Sequence, residues 1–452
     1  MYHYKAIDRV YRLAHGVSAG EWERMMSISR RTFLGTAAGA VLVAGTTGSK
    51  TVFGANDRIR IGVVACGGRA SSHLEAFTKD AGSEVVALCD PDSKRLSSKA
   101  GVMEKATGKK PATYSDVRDL LADDNIDAIS IATPNHWHSL GAIWGVQAGK
   151  DVYVEKPLSH NIWEGRQLAA AAAKTGQIVM HGTQSRSDAR WMRDIKLLQD
   201  GFLGKVNVAK GFTYKTGNRK SIGYSEFEKA PDHLNWDQWQ GPASRQKYCS
   251  NFHPYTWHWF WHYGSGETGN QGVHQMDLAV WGMNRGLPVK VYSAGGRYAW
   301  DDQAETPNTQ LSTMTYADGS MLEFEVRNVG SYKEAGKTTG NHFLCDEGYY
   351  VEGQGFFGYD NEAIPVETEM PETFGTWGNF LNAVRTRSQA NIHGNALEGH
   401  LSCTHIHLAN ISYRLGRSLE FDPETERFKN DDEANAMVSR EYAKGFEVPK
   451  IA

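Results

Sequence analysis

The chain has no C-x-x-C pair: Cys66, Cys89, Cys249, Cys345 and Cys403 are scattered along it. This excludes a zinc ribbon or a dense disulfide framework, and the odd count leaves at least one thiol free. An excess of positive charge is also missing. The formal net charge of -3 offers no electrostatic footprint for nucleic acid or an anionic membrane, so the expected partners are small and neutral. No internal repeat, low-complexity tract or long linker interrupts the sequence. What remains is the composition of a soluble globular protein, 40% hydrophobic and 22% charged over 452 residues, a length that implies about two domains and a tail.

The amino terminus carries the segment SRRTFLGTAAGAVLVAGTTG, in which Arg30 and Arg31 precede a Gly- and Ala-rich apolar stretch. The stretch is too short to span a bilayer, so no stable membrane insertion is expected. It also lacks the bulky stripe of a packed helix. It has the form of a twin-arginine export signal, and the expected location is periplasmic or otherwise exported. The residues before Ser29 are unusual for such a signal, which makes Met25 or Met26 a candidate start, with cleavage expected within 44–56. Residues 1–55 are therefore set apart from the fold.

From Arg58 the sequence alternates between short β-branched runs (IRIGVVAC, SEVVALCD, IDAISIAT, DVYVEKP) and helical stretches. Such alternation predicts parallel βαβ units with crossover helices, an α/β Rossmann domain with a doubly wound parallel sheet over 56–182. The texture then changes. KVNVAKGFTY, VKVYSAGGRYAW, TQLSTMTYADG and SMLEFEVRNVG alternate as half-buried strands, and YADGS signals a hairpin. An α+β domain with a largely antiparallel open sheet is expected over 183–430, followed by a tail over 431–452.

The stretch GVVACGGRA resembles a worn dinucleotide fingerprint. In the intact G-x-G-x-x-G/A pattern, the glycines in turn make the tight turn, admit the pyrophosphate and allow helix–strand packing. Here Ala65, Gly67 and Ala70 stand at those places, so the phosphate-approach glycine is kept. Ala65 is the departure, and it strains the loop if that position needs a positive φ. Gly68 and Arg69 complete the candidate phosphate contacts. Asp90, 23 residues after Gly67, stands where a carboxylate bonds the adenosine ribose. Its charge favours NAD over NADP, although Lys94 and Arg95 lie close by.

ATPNHWHS followed by EKP, after two βαβ units, resembles the Gfo/Idh/MocA oxidoreductases (glucose–fructose oxidoreductase, inositol dehydrogenase), and the likeness runs from Ile59 through EGHLSCTHIHLANISYRLGR. It implies an NAD-binding domain, a second domain whose sheet faces the nicotinamide and supports a homo-oligomer, and a Lys–Pro bond that is often cis. By position Lys156 is the lysine that contacts cofactor and substrate, with Glu155 beside it. GNQGVHQMD matches the family's Asp-x-x-x-His: His274 falls on the histidine, while Asn270 replaces the carboxylate, which should leave His274 less basic. In this scheme His274 takes the hydroxyl proton and Lys156 polarises the oxygen. Asp277 either supports that imidazole or points into a domain interface.

Thr133, Pro134, Asn135 and His138 lie at a strand's carboxyl end, where such sheets bind ligands. Gln184 and Arg186 match polar residues entering the cleft, the first toward the cofactor and the second toward substrate. Trp257 and His258, in WHWFWHYGSG, suit the faces and hydroxyls of a sugar ring. His258 and His262 have metal-ligand spacing but no third partner, so no metal is expected. The resulting expectation is a tightly held NAD acting on a secondary hydroxyl of a sugar, polyol or glycoside. Two alternatives stand beside it. One is a redox-neutral NAD-dependent glycoside hydrolase such as an α-N-acetylgalactosaminidase; the other is a non-catalytic sugar-binding protein on a decayed scaffold.

Overall fold

The β-branched runs form the parallel strands expected of them. In the computed structural model, β1 (Ile59–Val64), β2 (Ser83–Cys89), β3 (Ala112–Tyr114), β4 (Ala128–Ile131), β5 (Asp151–Val154) and β6 (Val179–His181) make one parallel sheet in the order β3-β2-β1-β4-β5-β6. The order reverses between β1 and β4, and such a reversal opens a crevice at the carboxyl ends of the strands. The structure describes residues 58–215, 220–330 and 332–451. The export signal lies outside them. Among the described residues no helix is long and apolar enough to cross a membrane.

Local chemistry sets the helix limits. Helix α1 (Ala70–Lys79) buries Ala70, His73, Leu74 and Phe77, the three-and-four spacing of one face. Helix α2 (Ser93–Thr107) starts where the Asp92 carboxylate accepts from the Lys94 and Arg95 N–H groups, and it stops at left-handed Gly108. Next come α3 (Val117–Leu121), α4 (Asn135–Gln147) and α5 (Ile162–Thr175). The last is capped by Asn161 and ended by left-handed Gly176.

Beyond β6, helix α6 (Ala189–Gln199) leads into β7 (Val206–Thr213). A long insertion follows, containing β8 (Phe227–Glu228), α7 (Trp236–Gln240) and β9 (Tyr248–Cys249), before α8 (Gly266–Asn270) and α9 (Gly272–Met283). The strands β10 (Lys290–Gly296), β11 (Thr309–Thr315), β12 (Met321–Arg327), β13 (Thr339–Cys345), β14 (Gly348–Val351), β15 (Gly355–Gly358) and β16 (Ala363–Ile364) come next. Helices α10 (Gly375–Thr386) and α11 (Ala396–Leu415) precede β17 (Leu419–Asp422) and β18 (Arg427–Phe428). The second sheet has ten strands, β16-β15-β14-β13-β7-β12-β11-β10-β17-β18. Only β7 and β12 pair in parallel; the other neighbours are antiparallel. The YADGS turn joins β11 to β12, with Gly319 at φ 82° and the Tyr316 N–H bonded to the Ser320 carbonyl at 2.9 Å.

The two sheets share their covering layers. Phe380, Leu381, Ala383 and Val384 of α10 pack with Ile59 of β1 and with Leu74 and Phe77 of α1. Residues after 430 are also built in, since Val438, Phe446 and Val448 join the main core and the Trp163 N–H bonds the Val438 carbonyl at 3.0 Å.

Helix α9 seats on the second sheet through a missing side chain. A Cβ at Gly282 would lie 2.3 Å from Cε1 of Phe343, a fully buried ring. Gly282→Ala should therefore destabilise the fold by about 1–3 kcal/mol through overpacking, a loss visible as a lower unfolding temperature by calorimetry; an unchanged midpoint would contradict this packing.

Candidate functional site

The loop after β1 opens onto a cleft of about 590 Å³ at the sheet's switch point, and Ala65, Gly67, Gly68, Arg69 and Asp90 line it. Ala65 has φ 81°. The first fingerprint position therefore does require a left-handed backbone, and alanine holds it at a cost of about 1–2 kcal/mol. Its N–H is tied to the Cys89 carbonyl at 2.8 Å. Gly67 and Gly68 would meet nothing within 4 Å of an added Cβ, so the space above them is open.

Asp90 closes this loop onto β2. Its carboxylate accepts from the Cys66 N–H at 2.6 Å and the Asp92 N–H at 2.8 Å. Burial nonetheless pushes its pKa up to about 6, against the pull of those two backbone donors.

Three residues that line the cleft carry an orphaned polar atom. Thr133 Oγ1, Asn135 Nδ2 and Arg69 Nη2 are buried without a hydrogen-bond partner in the protein, and all three residues line the cleft. Leaving such groups unmade is unfavourable, so they fit a polar ligand. The open floor over Gly67 and Gly68, the Asp90 carboxylate and the Arg69 guanidinium together suit a dinucleotide, its pyrophosphate lying on the loop.

Behind the loop, Glu155 accepts from Arg69 Nε at 2.7 Å and meets His73 Nε2 at 3.2 Å, while His73 Nδ1 meets Ser130 Oγ at 2.7 Å. Burial opposes the Glu155 charge. The His73 hydrogen bond and the neighbouring Arg69 charge prevail, and its pKa falls well below the usual range. Glu155 lines the cleft, but its carboxylate's work is to hold Arg69. His138, expected to bind cofactor, lines the cleft, and its ring nitrogens sit 2.6 Å from the Pro157 carbonyl and 2.9 Å from the Thr133 carbonyl. The Lys156–Pro157 bond is cis.

Lys156 Nζ donates to the backbone carbonyl of Asn270 at 2.7 Å, across the joint between the first sheet and α8. The Asn270 amide reaches Glu267 Oε2 at 3.3 Å and the Tyr255 hydroxyl at 3.4 Å. Lys156 and Asn270 both line the cleft. His274 sits one helical turn further on, half-buried and outside that lining. Burial, and then the nearby Lys156 charge, push its pKa down to about 3, so the imidazole is neutral at physiological pH.

Three other expected site residues lie elsewhere. Gln184 is exposed in the short turn Gln184–Ser187, where its carbonyl accepts from Thr376 Oγ1; it does not line the cleft. Arg186 is buried and clamped by Asp277, with Nε 2.9 Å from Oδ2, and by Glu398 at 2.9 Å. Asp277 also accepts from Ser402 Oγ at 2.6 Å. Arg186 and Asp277 thus bind the turn after β6 to α9 and α11, the interface role rather than substrate contact.

Trp257 and His258 do line the cleft, their rings stacked 3.6 Å apart. With them come Arg95, already noted beside Asp90, and residues that sequence reasoning missed: Gln238, Trp239, His253 and Tyr255. All but Arg95 belong to the insertion after β7, whose polar and aromatic composition carries no periodic signal. Among the described residues no group of three His, Cys, Asp or Glu is placed to hold a metal ion.

Comparison with known proteins agrees with this geometry. Residues 59–183 match the model described as "Oxidoreductase family, NAD-binding Rossmann fold", and residues 188–448 match "Oxidoreductase family, C-terminal alpha/beta domain". A glycosyl hydrolase family 109 protein of Saccharopolyspora erythraea is 28% identical over 216 residues, 43% of this chain and 47% of that protein. One from Shewanella baltica is 30% identical over 154 residues, 33% of this chain and 34% of that protein. The chain thus spans less than half the length of these curated relatives. Among solved structures, the WlbA dehydrogenase of Bordetella pertussis, in complex with NADH and UDP-GlcNAcA, superposes with a TM-score of 0.58 at 22% identity, covering 81% of this chain and 99% of that one. Apo scyllo-inositol dehydrogenase of Lactobacillus casei gives 0.58 at 16%, covering 80% and 98%.

The raised pKa of Asp90 has a testable sign. Below about 6 the folded protein holds a neutral acid there, a weaker acceptor for ribose hydroxyls; above it the carboxylate is charged. Because the folded pKa exceeds the 3.8 of a free carboxyl, acidification through this window does not destabilise the fold through Asp90. NAD affinity measured by calorimetry should fall about tenfold between pH 7 and pH 5, and an Asp90→Asn protein should lose that dependence. A wild-type affinity flat over this range would contradict the assignment.

Proposed function

Given that the chain belongs to the Gfo/Idh/MocA oxidoreductase family, we propose that it is an NAD-dependent enzyme removing a hydride from a secondary hydroxyl of a sugar, polyol or glycoside. The observation that carries this reading is the bond from Lys156 Nζ to the Asn270 carbonyl, which fixes a cation at the cleft wall where the two domains meet. When bound, NAD supplies a reversible hydride acceptor. The protein's own groups do the rest. Lys156 polarises the hydroxyl oxygen of the substrate, and neutral His274 takes the hydroxyl proton. Trp257 and His258 offer the sugar an aromatic face with a polar edge. His274 is a weak base on this account, so proton removal leans on Lys156 to acidify the hydroxyl.

A second reading is favoured by the likeness to glycosyl hydrolase family 109 proteins. Here a glycoside is oxidised at C3 only transiently. The C3 carbonyl acidifies the C2 proton, the glycosidic oxygen leaves as that proton is removed, water adds, and the hydride returns to C3. Reactants and products then stand at one oxidation level. Either cycle suits an enzyme exported with its cofactor, because no free NAD pool is expected outside the cytoplasm.

Incubating the NAD-loaded enzyme with p-nitrophenyl α-N-acetylgalactosaminide separates the two readings. A keto-glycoside together with reduced cofactor supports net oxidation. Released N-acetylgalactosamine without net reduction supports the second reading. Lys156→Ala should lower either rate at least about 10²-fold while denaturation of the variant still liberates NAD. Near-normal turnover by the variant would remove Lys156 from the mechanism, and a purified wild type that neither contains nor binds NAD would overturn both readings.

A further inference from the structure

We propose that residues 231–240 and His253, from the insertion after β7, form the outer wall of an adenosine-binding site and hold an adenine nucleotide captive in the cleft. The inference rests on NAD as the cofactor and goes beyond it, because it assigns adenosine recognition to a segment outside the first sheet.

The adenosine end of the cleft is marked by Asp90 at the end of β2 and by Arg95 in the first turn of α2, since in such folds the acidic residue after the second strand meets the ribose. The insertion runs along this end as a strap, fastened to three successive strand–helix corners. At the β2–α2 corner, Leu234 forms an antiparallel bridge with Asp92. There the Ser93 N–H donates to the His233 carbonyl at 2.9 Å, the Asn235 N–H to the Pro91 carbonyl at 3.0 Å, and His233 Nδ1 meets the Asp92 carboxylate at 3.1 Å. At the β3–α3 corner, Gln238 Nε2 donates to Asp116 at 2.9 Å. At the β4–α4 corner, Trp137 Nε1 donates to the Trp239 carbonyl at 2.9 Å, and His136 Nε2 meets the same oxygen at 3.0 Å. The last seat is close: a Cβ at Gly241 would lie 2.1 Å from Cε2 of Trp137.

The inner face of the strap has the chemistry a purine needs. Gln238, Trp239 and His253 line the cleft together with Arg95. Trp239 and His253 stand edge to face at 5.6 Å, and Trp236 stacks on Trp239 at 4.7 Å to hold it. Flat rings, a guanidinium and one amide for the base edge recognise adenine by stacking and hydrogen bonding. With three corners fastened, adenosine leaves only after the strap detaches. Release of the nucleotide is then limited by that opening.

The test uses the full-length holoenzyme carrying His233→Ala and Gln238→Ala, two partly exposed positions whose loss removes two fasteners. NAD release is followed by displacement with excess 1,N6-etheno-NAD, and AMP and nicotinamide mononucleotide are titrated as half-ligands. The double variant should release NAD at least tenfold faster and bind AMP at least tenfold more weakly, with nicotinamide mononucleotide unaffected. Hydrogen exchange at the Ser93 and Asn235 amides of the wild type should also be slower with NAD bound than without it. Unchanged release and AMP affinity in the variant, or equal exchange in both states, would overturn the strap assignment while leaving NAD binding intact. A wild type that binds no NAD would instead remove the cofactor reading on which the inference rests.

Discussion

One hydrogen bond joins the two halves of the chemistry: Lys156 Nζ to the Asn270 carbonyl. Lys156 follows the fifth strand of a sheet built for nucleotides, and Asn270 ends a helix of the second domain. The neutral carbonyl holds the ammonium at the wall of the cleft. The same charge acts on His274, which burial and Lys156 together hold neutral. With asparagine at position 270 the lysine is held through a backbone carbonyl, and the charges of Glu155 and Asp277 only partly offset what burial and Lys156 do to His274.

Buried polar groups, in the cleft and away from it, divide into those the protein satisfies and those that line the cleft unpaired. Glu155 is saturated by Arg69 and His73, and Arg186 by Asp277 and Glu398. These pairs fix backbone positions, and their burial makes each partner costly to remove. Thr133 Oγ1, Asn135 Nδ2 and Arg69 Nη2 lack such partners. Asp90 stands between the two classes, because its carboxylate pins the loop and still faces the crevice.

Much of this was legible in the sequence. Short strand runs with intervening helical periods gave the parallel sheet, whose strands are three to seven residues long, and the YADGS turn gave the β11–β12 hairpin. Ala65 was legible as a question, and its φ of 81° answers it: the loop keeps the required backbone and bears the strain. Gln184 and Arg186 were placed at the cleft because motif position says which residues are polar near a cleft but not which way a short turn aims them, whereas Asp277 takes the interface place that the sequence left open. Arg186 found one buried carboxylate, Asp277, and one partly exposed one, Glu398, closer at hand than any ligand. The strap residues went unseen for a different reason. Their role comes from long-range contacts, such as Asp92 with Leu234 and Asp116 with Gln238, which leave no periodic trace in a loop rich in Trp, His and Asn.

The most direct test is a crystal structure of the NAD-loaded protein at a resolution that fixes the nicotinamide ring. The account predicts the pyrophosphate over Gly67 and Gly68, adenosine beneath the strap, and the nicotinamide ring beside Lys156 with His274 on the substrate side. A nicotinamide turned away from Lys156, or a dinucleotide bound outside this crevice, would contradict it.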